Sequence, residues 1–265
     1  MEFTWRDESA ADAAFARGSV VLSAFPSAGL ATIVAAHYIL RVLQLPRIAR
    51  FESPDLPPIA VVSGGVVNPT IRVYGRPDLA LVLSEFPPSP SQANGIASTI
   101  LDAAERREAR MIICLEGVVP HPEDDEPETP GDEAPSDEQV WVAFARKDPD
   151  FAKAFAAART RALEEGVIGG VSGAMLVRGM SRRVPIAVLL VSARVAEGLP
   201  DHRAGAALIE TLDRVLPELQ IDTRPLRAQA EQIEKALRAV MKSQSTASAN
   251  AGAPSEVPPS PEMYR

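Results

Sequence analysis

Short, almost purely apolar runs alternate with longer amphipathic stretches along most of this chain. Ser19–Phe25, Leu79–Ser84, Arg110–Leu115 and Ile186–Ser192 are continuous apolar runs, the first closed by Pro26 and the second by the prolines at 87, 88 and 90. Such runs predict strands buried on both faces. Ala28–Leu45 is apolar nearly all round and predicts a helix sandwiched inside the structure, with Ser27 as its N-cap. Gln92–Arg107 sets Ile96, Ile100 and Ala104 on one helical face. Shorter signals fill the gaps. Arg47–Ser53 reads as a strand, and Ile59–Ser63 with Thr70–Tyr74 as a hairpin around Gly64-Gly65 and Asn68-Pro69. Gln139–Ala145 alternates as a strand, Pro149–Glu164 is helical, Val167–Val171 is a short strand, and a helix runs from Gly173 to about Arg182. Asp201–Leu216 opens on Pro200-Asp201, a helix start that places a carboxylate at the positive end of the dipole. Thr223–Lys242 carries Leu226, Ala230, Ile233, Leu237 and Val240 as one apolar stripe. Strands alternating with helices predict an α/β fold, a mainly parallel or mixed sheet flanked by helices.

Two stretches break this rhythm. His121–Glu138, HPEDDEPETPGDEAPSDE, holds nine acidic residues, four prolines and no Lys or Arg. Its composition predicts a solvated, disordered insertion at 120–138. Without its charge the net −8 of the chain becomes about +1, so the body is near neutral. The second is Ser243–Glu262, small, polar and proline-bearing, with Val257 its one large apolar residue. It offers too little apolar surface to offset the entropy of ordering it. The expected organisation is an α/β body over 1–242 and a flexible tail over 243–265.

Composition removes several function classes. No run of 18 apolar residues is present, so no membrane span is expected. The N-terminus, MEFTWRDESAADAAFARG, lacks an apolar signal core, which points to a cytoplasmic protein. The single cysteine, Cys114, lies in an apolar run and reads as core. The acidic run lacks the glycine-turned oxygen ring of a calcium site, and His37, His121 and His202 share no ligand spacing, so no metal and no cofactor is expected. No basic stripe with interleaved aromatics suggests nucleic acid.

Candidate chemistry is sparse. Gly170-Val-Ser-Gly-Ala174 approximates the G-x-S-x-G elbow of serine hydrolases, with Asp201 and His202 downstream, but its glycines are misplaced and adjacent residues seldom supply both acid and base. Ser27-Ala28-Gly29 could receive a phosphate at a helix start, although no lysine and no Walker spacing follow. A small-molecule hydrolase or nucleoside phosphorylase-like enzyme therefore stays open as the alternative. The sharper feature is the ending Met263-Tyr264-Arg265, a hydrophobe, a tyrosine and a residue bearing a carboxylate, on a flexible tether. Tyr264 supplies ring burial and a hydroxyl, Met263 an adaptable apolar filler, and the carboxylate a charge-assisted partner for a lysine.

Five blocks in order carry a resemblance. They are Phe25-Pro-Ser-Ala-Gly-Leu-Ala-Thr-Ile-Val-Ala-Ala-His-Tyr38, Tyr74-Gly75 with the Leu79–Ser84 run and Glu85, Leu115-Glu-Gly117, Gly166-Val-Ile-Gly-Gly-Val-Ser-Gly-Ala-Met-Leu176, and Pro200-Asp-His-Arg-Ala-Gly-Ala207. Together they span about residues 18–242 and resemble the proteasome assembly chaperone family, in particular its archaeal-type homologues. The resemblance implies an α/β body of phosphorylase/hydrolase-like shape, with a disordered C-terminal tail and no demonstrated enzymatic site. It also implies that Met263, Tyr264 and Arg265, which match the family's C-terminal hydrophobic-Tyr-X motif, engage the α-ring of the proteasome 20S core particle. A homo-oligomer presenting several such tails to a ring would gain from effective concentration. The long acidic insertion departs from the family pattern.

Overall fold

Four strands form the centre of the sheet because their sequences have no polar face to offer water. They are β2 (Val20–Ala24), β7 (Leu79–Leu83), β8 (Met111–Val118) and β11 (Ile186–Ser192), adjacent in the order β7-β2-β8-β11 and all parallel. The computed structural model describes residues 4–7, 16–119, 138–195, 199–233 and 235–236. Among these, antiparallel strands complete a nine-stranded mixed sheet of order β1-β3-β6-β7-β2-β8-β11-β9-β10, with β1 Thr4–Asp7, β3 Arg47–Glu52, β6 Arg72–Arg76, β9 Val140–Phe144 and β10 Arg161–Ala162. Val61–Ser63 (β4) and Val66–Asn68 (β5) pair separately across the two-residue Gly64-Gly65 turn.

Period-2 alternation divides the buried strand residues between two apolar layers. Leu22, Leu81, Ile113, Leu115, Leu189 and Val191 belong to a core that includes α1 (Ala31–Leu43) and α5 (His202–Val215), which pack on each other. Val21, Val82, Ile112, Cys114, Val188 and Leu190 belong to the other, which includes α2 (Pro90–Arg106) and α4 (Gly170–Gly179), again in mutual contact. Helix α3 (Pro149–Ala157) adds an edge-to-face trio of Phe144, Phe151 and Phe155, with ring centroids 5.0–5.4 Å apart.

Polar side chains fix the helix ends. Ser89 and Gln92 form a capping box at α2, where the Ser89 amide donates to Gln92 Oε1 at 2.8 Å. Asp148 accepts from the amides of Asp150 and Phe151 at the start of α3, and Asp201 from those of Arg203 and Ala204 at the start of α5. By contacts the chain divides into two units, Met1–Arg227 and Ala228–Arg265. Residues 224–233, which form α6, are helical.

The α/β class, the central strands and most helices agree with the periodicity, and several details differ. Ser27 does not cap a helix: Ala28–Leu30 is a 3₁₀ turn, Leu30 is left-handed, and α1 begins at Ala31. Its outer side is exposed at His37, Arg41 and Val42, so α1 is covered on one side and not sandwiched. The hairpin partner of β4 is β5, while residues 72–76 join the main sheet between β3 and β7. Helix α3 stops at Ala157, because Arg159 turns left-handed (φ 64°) and leads into β10. Residues 167–169 are not a strand, and α4 begins three residues early, at Gly170. The acidic residues 120–137 and the tail over 243–265 lie outside the described residues.

Phe155 is fully buried in the aromatic trio. Phe155→Ala should cost about 3–5 kcal/mol. Urea unfolding followed by Trp fluorescence checks it, as a drop in midpoint at unchanged slope.

Candidate functional site

Open parallel sheets bind ligands in the crevice outside the carboxyl ends of their strands, where successive connections leave in opposite directions. Here that point lies between β2 and β8. The chain runs from β2 out to β7 on one side, then returns through α2 to β8 on the other. The residues there bond to one another. Ser27 Oγ accepts the Gly117 amide at 2.8 Å and meets Thr32 Oγ1 at 3.2 Å, while Thr32 Oγ1 donates to the Phe25 carbonyl at 2.6 Å. A Cβ on Gly117 would stand 2.5 Å from the Ala28 carbonyl oxygen. The turn continues through Gly29, whose φ of 60° suits glycine and where a Cβ would lie 2.7 Å from the Arg194 carbonyl oxygen. The Gly29 carbonyl accepts the Asp201 amide at 2.7 Å, and Asp201 Oδ2 accepts the Arg194 amide at 2.8 Å. The ends of β2, β8 and β11 and the start of α5 are thereby stitched together at van der Waals distance. The glycine at 29 serves this approach.

Next to this seam lies a half-buried polar pair. Glu116 at the end of β8 accepts a hydrogen bond from Ser172 Oγ at 2.7 Å, and Ser172 is buried in the first turn of α4. Burial pushes the Glu116 carboxyl up to about 7, against the lowering effect of the Ser172 hydroxyl. Cys114, two residues earlier on the same face, is fully buried and pushed up to about 12 by desolvation and by Glu116. This thiol is a core group.

The elbow that the sequence around Ser172 only approximates is not assembled. Ser172 has ordinary helical backbone and gives its proton to a carboxylate. His202 places Nδ1 3.0 Å from the Pro200 carbonyl, and Asp201 is spent as the cap of α5. Gly173 has a steric task, since a Cβ there would stand 2.1 Å from the Ile168 carbonyl oxygen. Ser172 Oγ meets only the Glu116 carboxyl, while Asp201 and His202, the downstream acid and base of an elbow, are engaged elsewhere.

A second polar cluster sits at the end of β7, and sequence reasoning missed it. Arg72, buried within β6, forms an ion pair with Glu85, whose Oε1 also lies 3.1 Å from His37 Nε2. Burial works to raise the Glu85 carboxyl, but the His37 hydrogen bond and the Arg72 charge together hold it below the usual range. His37 is therefore a surface partner of Glu85 where a core histidine is the simpler expectation. An arginine inside an alternating strand gives no cue to burial until its carboxylate partner, 13 residues on, is placed beside it. Tyr38 on the same helix is core, its hydroxyl donating to the Asp222 carbonyl at 2.6 Å.

The site residues expected from sequence, Met263, Tyr264 and Arg265, lie outside the described residues. What the described part defines is a mixed α/β protein with helices on both faces of its sheet. Its sequence matches the PAC2 family model over residues 21–241, and the chain belongs to the PAC2 family. An uncharacterized protein of Methanocaldococcus jannaschii is 26% identical over 220 residues, covering 83% of this chain and 84% of that one. Among solved structures, Pyrococcus furiosus PbaA, described as an archaeal homolog of proteasome-assembly chaperone, superimposes with a TM-score of 0.77 at 22% identity, covering 95% of this chain and 96% of that one. P. furiosus PbaB, described as an archaeal proteasome activator, gives 0.71 at 22% identity, with 91% and 99% covered. At these identities the structural matches establish the shared fold. The five sequence blocks fall within the matched region or at its margin, and the family expectation drawn from them holds.

The raised carboxyl of Glu116 gives a pH signature. The folded state keeps this proton to about pH 7, whereas the unfolded carboxyl loses it near 4.5, so the folded state binds more protons in between. The contribution of Glu116 to stability is then full below about 4.5 and lost as pH rises through about 7. Glu116→Gln keeps an acceptor for Ser172 without the titration. Its stability relative to the parent should rise between pH 5 and pH 8, read as the difference in urea midpoints; parallel profiles would mean that Glu116 titrates as an ordinary carboxyl.

Proposed function

We propose that this protein is a proteasome-binding chaperone or ATP-independent activator, not an enzyme, and that it docks Met263-Tyr264-Arg265 into pockets of the 20S core α-ring. The observation carrying the reading is PAC2 membership over nearly the whole body, combined with the Met263-Tyr264-Arg265 ending, which fits the hydrophobic-Tyr-X motif that the family resemblance implies. Two fold relatives described as a proteasome-assembly chaperone homolog and a proteasome activator support it.

The division of labour is physical. One tail contributes a charge-assisted contact worth on the order of 1.5–3 kcal/mol, with ring and thioether burial beside it. Such an anchor binds weakly alone and gains strongly when a homo-oligomer presents several. A flexible tether of about 20 residues spans roughly 25 Å root-mean-square, enough to reach from a docked body into a neighbouring groove. Binding opens a gate or holds an assembly intermediate only insofar as the anchor favours one state of the ring over the other. Placement in the cytoplasm, where that partner is found, completes the reading.

The test compares the intact chain with one ending at Glu262 for co-purification with a 20S core and for stimulation of its peptidase activity. Truncation should abolish both while leaving the melting temperature unchanged. Equal binding and stimulation by the shortened chain would refute the anchor and leave recognition to the body surface.

A further inference from the structure

The hairpin of β4 and β5 carries apolar side chains on both of its faces. Residues 62–67 are all exposed, and Val62, Val66 and Val67 each keep 63–64% of their surface in water. Ile59, just before β4, is exposed as well. From Leu56 to Ile71 the sequence holds no charged residue, in a chain that is 23% charged. Natural sheet edges are protected by charged side chains or by a cover, and a bare apolar arm marks a contact surface. Arg47 Nη1 donates to Asn68 Oδ1 at 2.6 Å, which ties the base of the arm to the start of β3.

The backbone of the hairpin is open along one edge. Its two-residue turn closes on Ser63 and Val66, the pair that exchanges hydrogen bonds, so the next pair, Val62 and Val67, is of the non-bonded kind. The amide and carbonyl of Val62 therefore face away from β5, along the outer edge of β4, and no other described strand pairs with that edge. Ala60, two residues earlier, keeps an N–H to give. On β5 the residue two beyond Val67 is Pro69, which has none. The edge equipped to accept another strand is that of β4.

We propose that the outer edge of β4 pairs with β4 of a second copy of this chain, antiparallel about a two-fold axis at Val62. A strand edge is complementary to itself in this way, because the axis brings each amide opposite the other copy's carbonyl. The product is a four-stranded sheet with β4 of both copies at its centre, and Val62 and Val67 of both copies form a row of four valines on one face. Charge selects the same occupant. Two uncharged hairpins meet without repulsion, whereas a strongly charged partner finds no counter-charge in residues 56–71. The hairpin supplies about a third to a half of the roughly 20–30 residues a side of a standard interface, so the dimer is weak and concentration-dependent. This gives the homo-oligomer of the proposed function a place of contact, and it is measured on the chain alone, apart from any docking of the tail.

The experiment uses the full chain. Sedimentation velocity between about 1 and 200 μM should show a monomer–dimer equilibrium in the parent. Val62→Lys sets two like charges opposite each other at the axis and should raise the dissociation constant about tenfold or more, with the melting temperature unchanged because the residue is exposed. Cysteines read the register. At the axis the two Cα atoms stand about 5.5 Å apart, within reach of a disulfide, so Val62→Cys should give a linked dimer under mild oxidation. Val67→Cys, roughly 14 Å from its counterpart across three strand spacings, should stay unlinked. The native Cys114 is buried and does not interfere. If the lysine variant proves unstable, the two cysteine variants decide the matter. The proposal is overturned if the parent stays monomeric throughout, if Val62→Lys associates like the parent, or if Val67→Cys links as readily as Val62→Cys. A monomeric parent whose Val62→Lys variant loses binding to the 20S core would assign the hairpin to a foreign partner and overturn it likewise.

Discussion

The whole architecture depends on how closely three backbone turns approach one another at the carboxyl ends of β2, β8 and β11. Gly29 and Gly117 permit that approach, and Ser27, Thr32 and Asp201 secure it with hydrogen bonds. Any side chain at Gly117 would drive into the Ala28 carbonyl, and any L residue at Gly29 would combine backbone strain with a clash against Arg194. The seam fixes where α1 leaves the sheet and where α5 begins, and so the spacing of the two helices that pack on each other above one face. Asp201 does two tasks there, capping α5 and tying its start to the turn before α1.

A consequence of this closeness is that the carboxyl ends of β2 and β8 are held directly against the turn before α1. The remaining polar groups nearby are paired inward. Glu116 and Ser172 answer each other, and Glu85 is held between Arg72 and His37. Such pairs tie the ends of strands to neighbouring elements. This body belongs to the PAC2 family.

Much of the body was legible in the sequence because burial on both faces leaves an unmistakable trace. The β2, β7, β8 and β11 runs have no polar alternation, and Asp201 after Pro200 marks its helix start. Other features turn on partners far apart in the chain. Ser27 reads as a cap in sequence, yet its hydroxyl is taken by Gly117, 90 residues on, and the helix starts later. Arg72 reads as an outward residue of a strand until Glu85 neutralises it. The Ser172 motif only approximates an elbow in sequence, and Ile168 and Glu116 show what its glycine and hydroxyl do. Leu115-Glu-Gly117 stood out as a block of residues, but the chemistry of Glu116 follows only from its burial. The arginines at 159, 161, 214 and 227 are scattered through the chain, and only the fold gathers them.

The central claim is that the folded body displays an anchor that binds another protein. The most direct measurement places a photo-crosslinking residue at Tyr264 in the intact chain, mixes it with 20S core particles, and identifies the crosslinked peptides by mass spectrometry. The account predicts crosslinks to α-subunits, at the pockets between neighbouring subunits. Crosslinks confined to residues 1–227 of the chain itself, with none to the core particle, would contradict it.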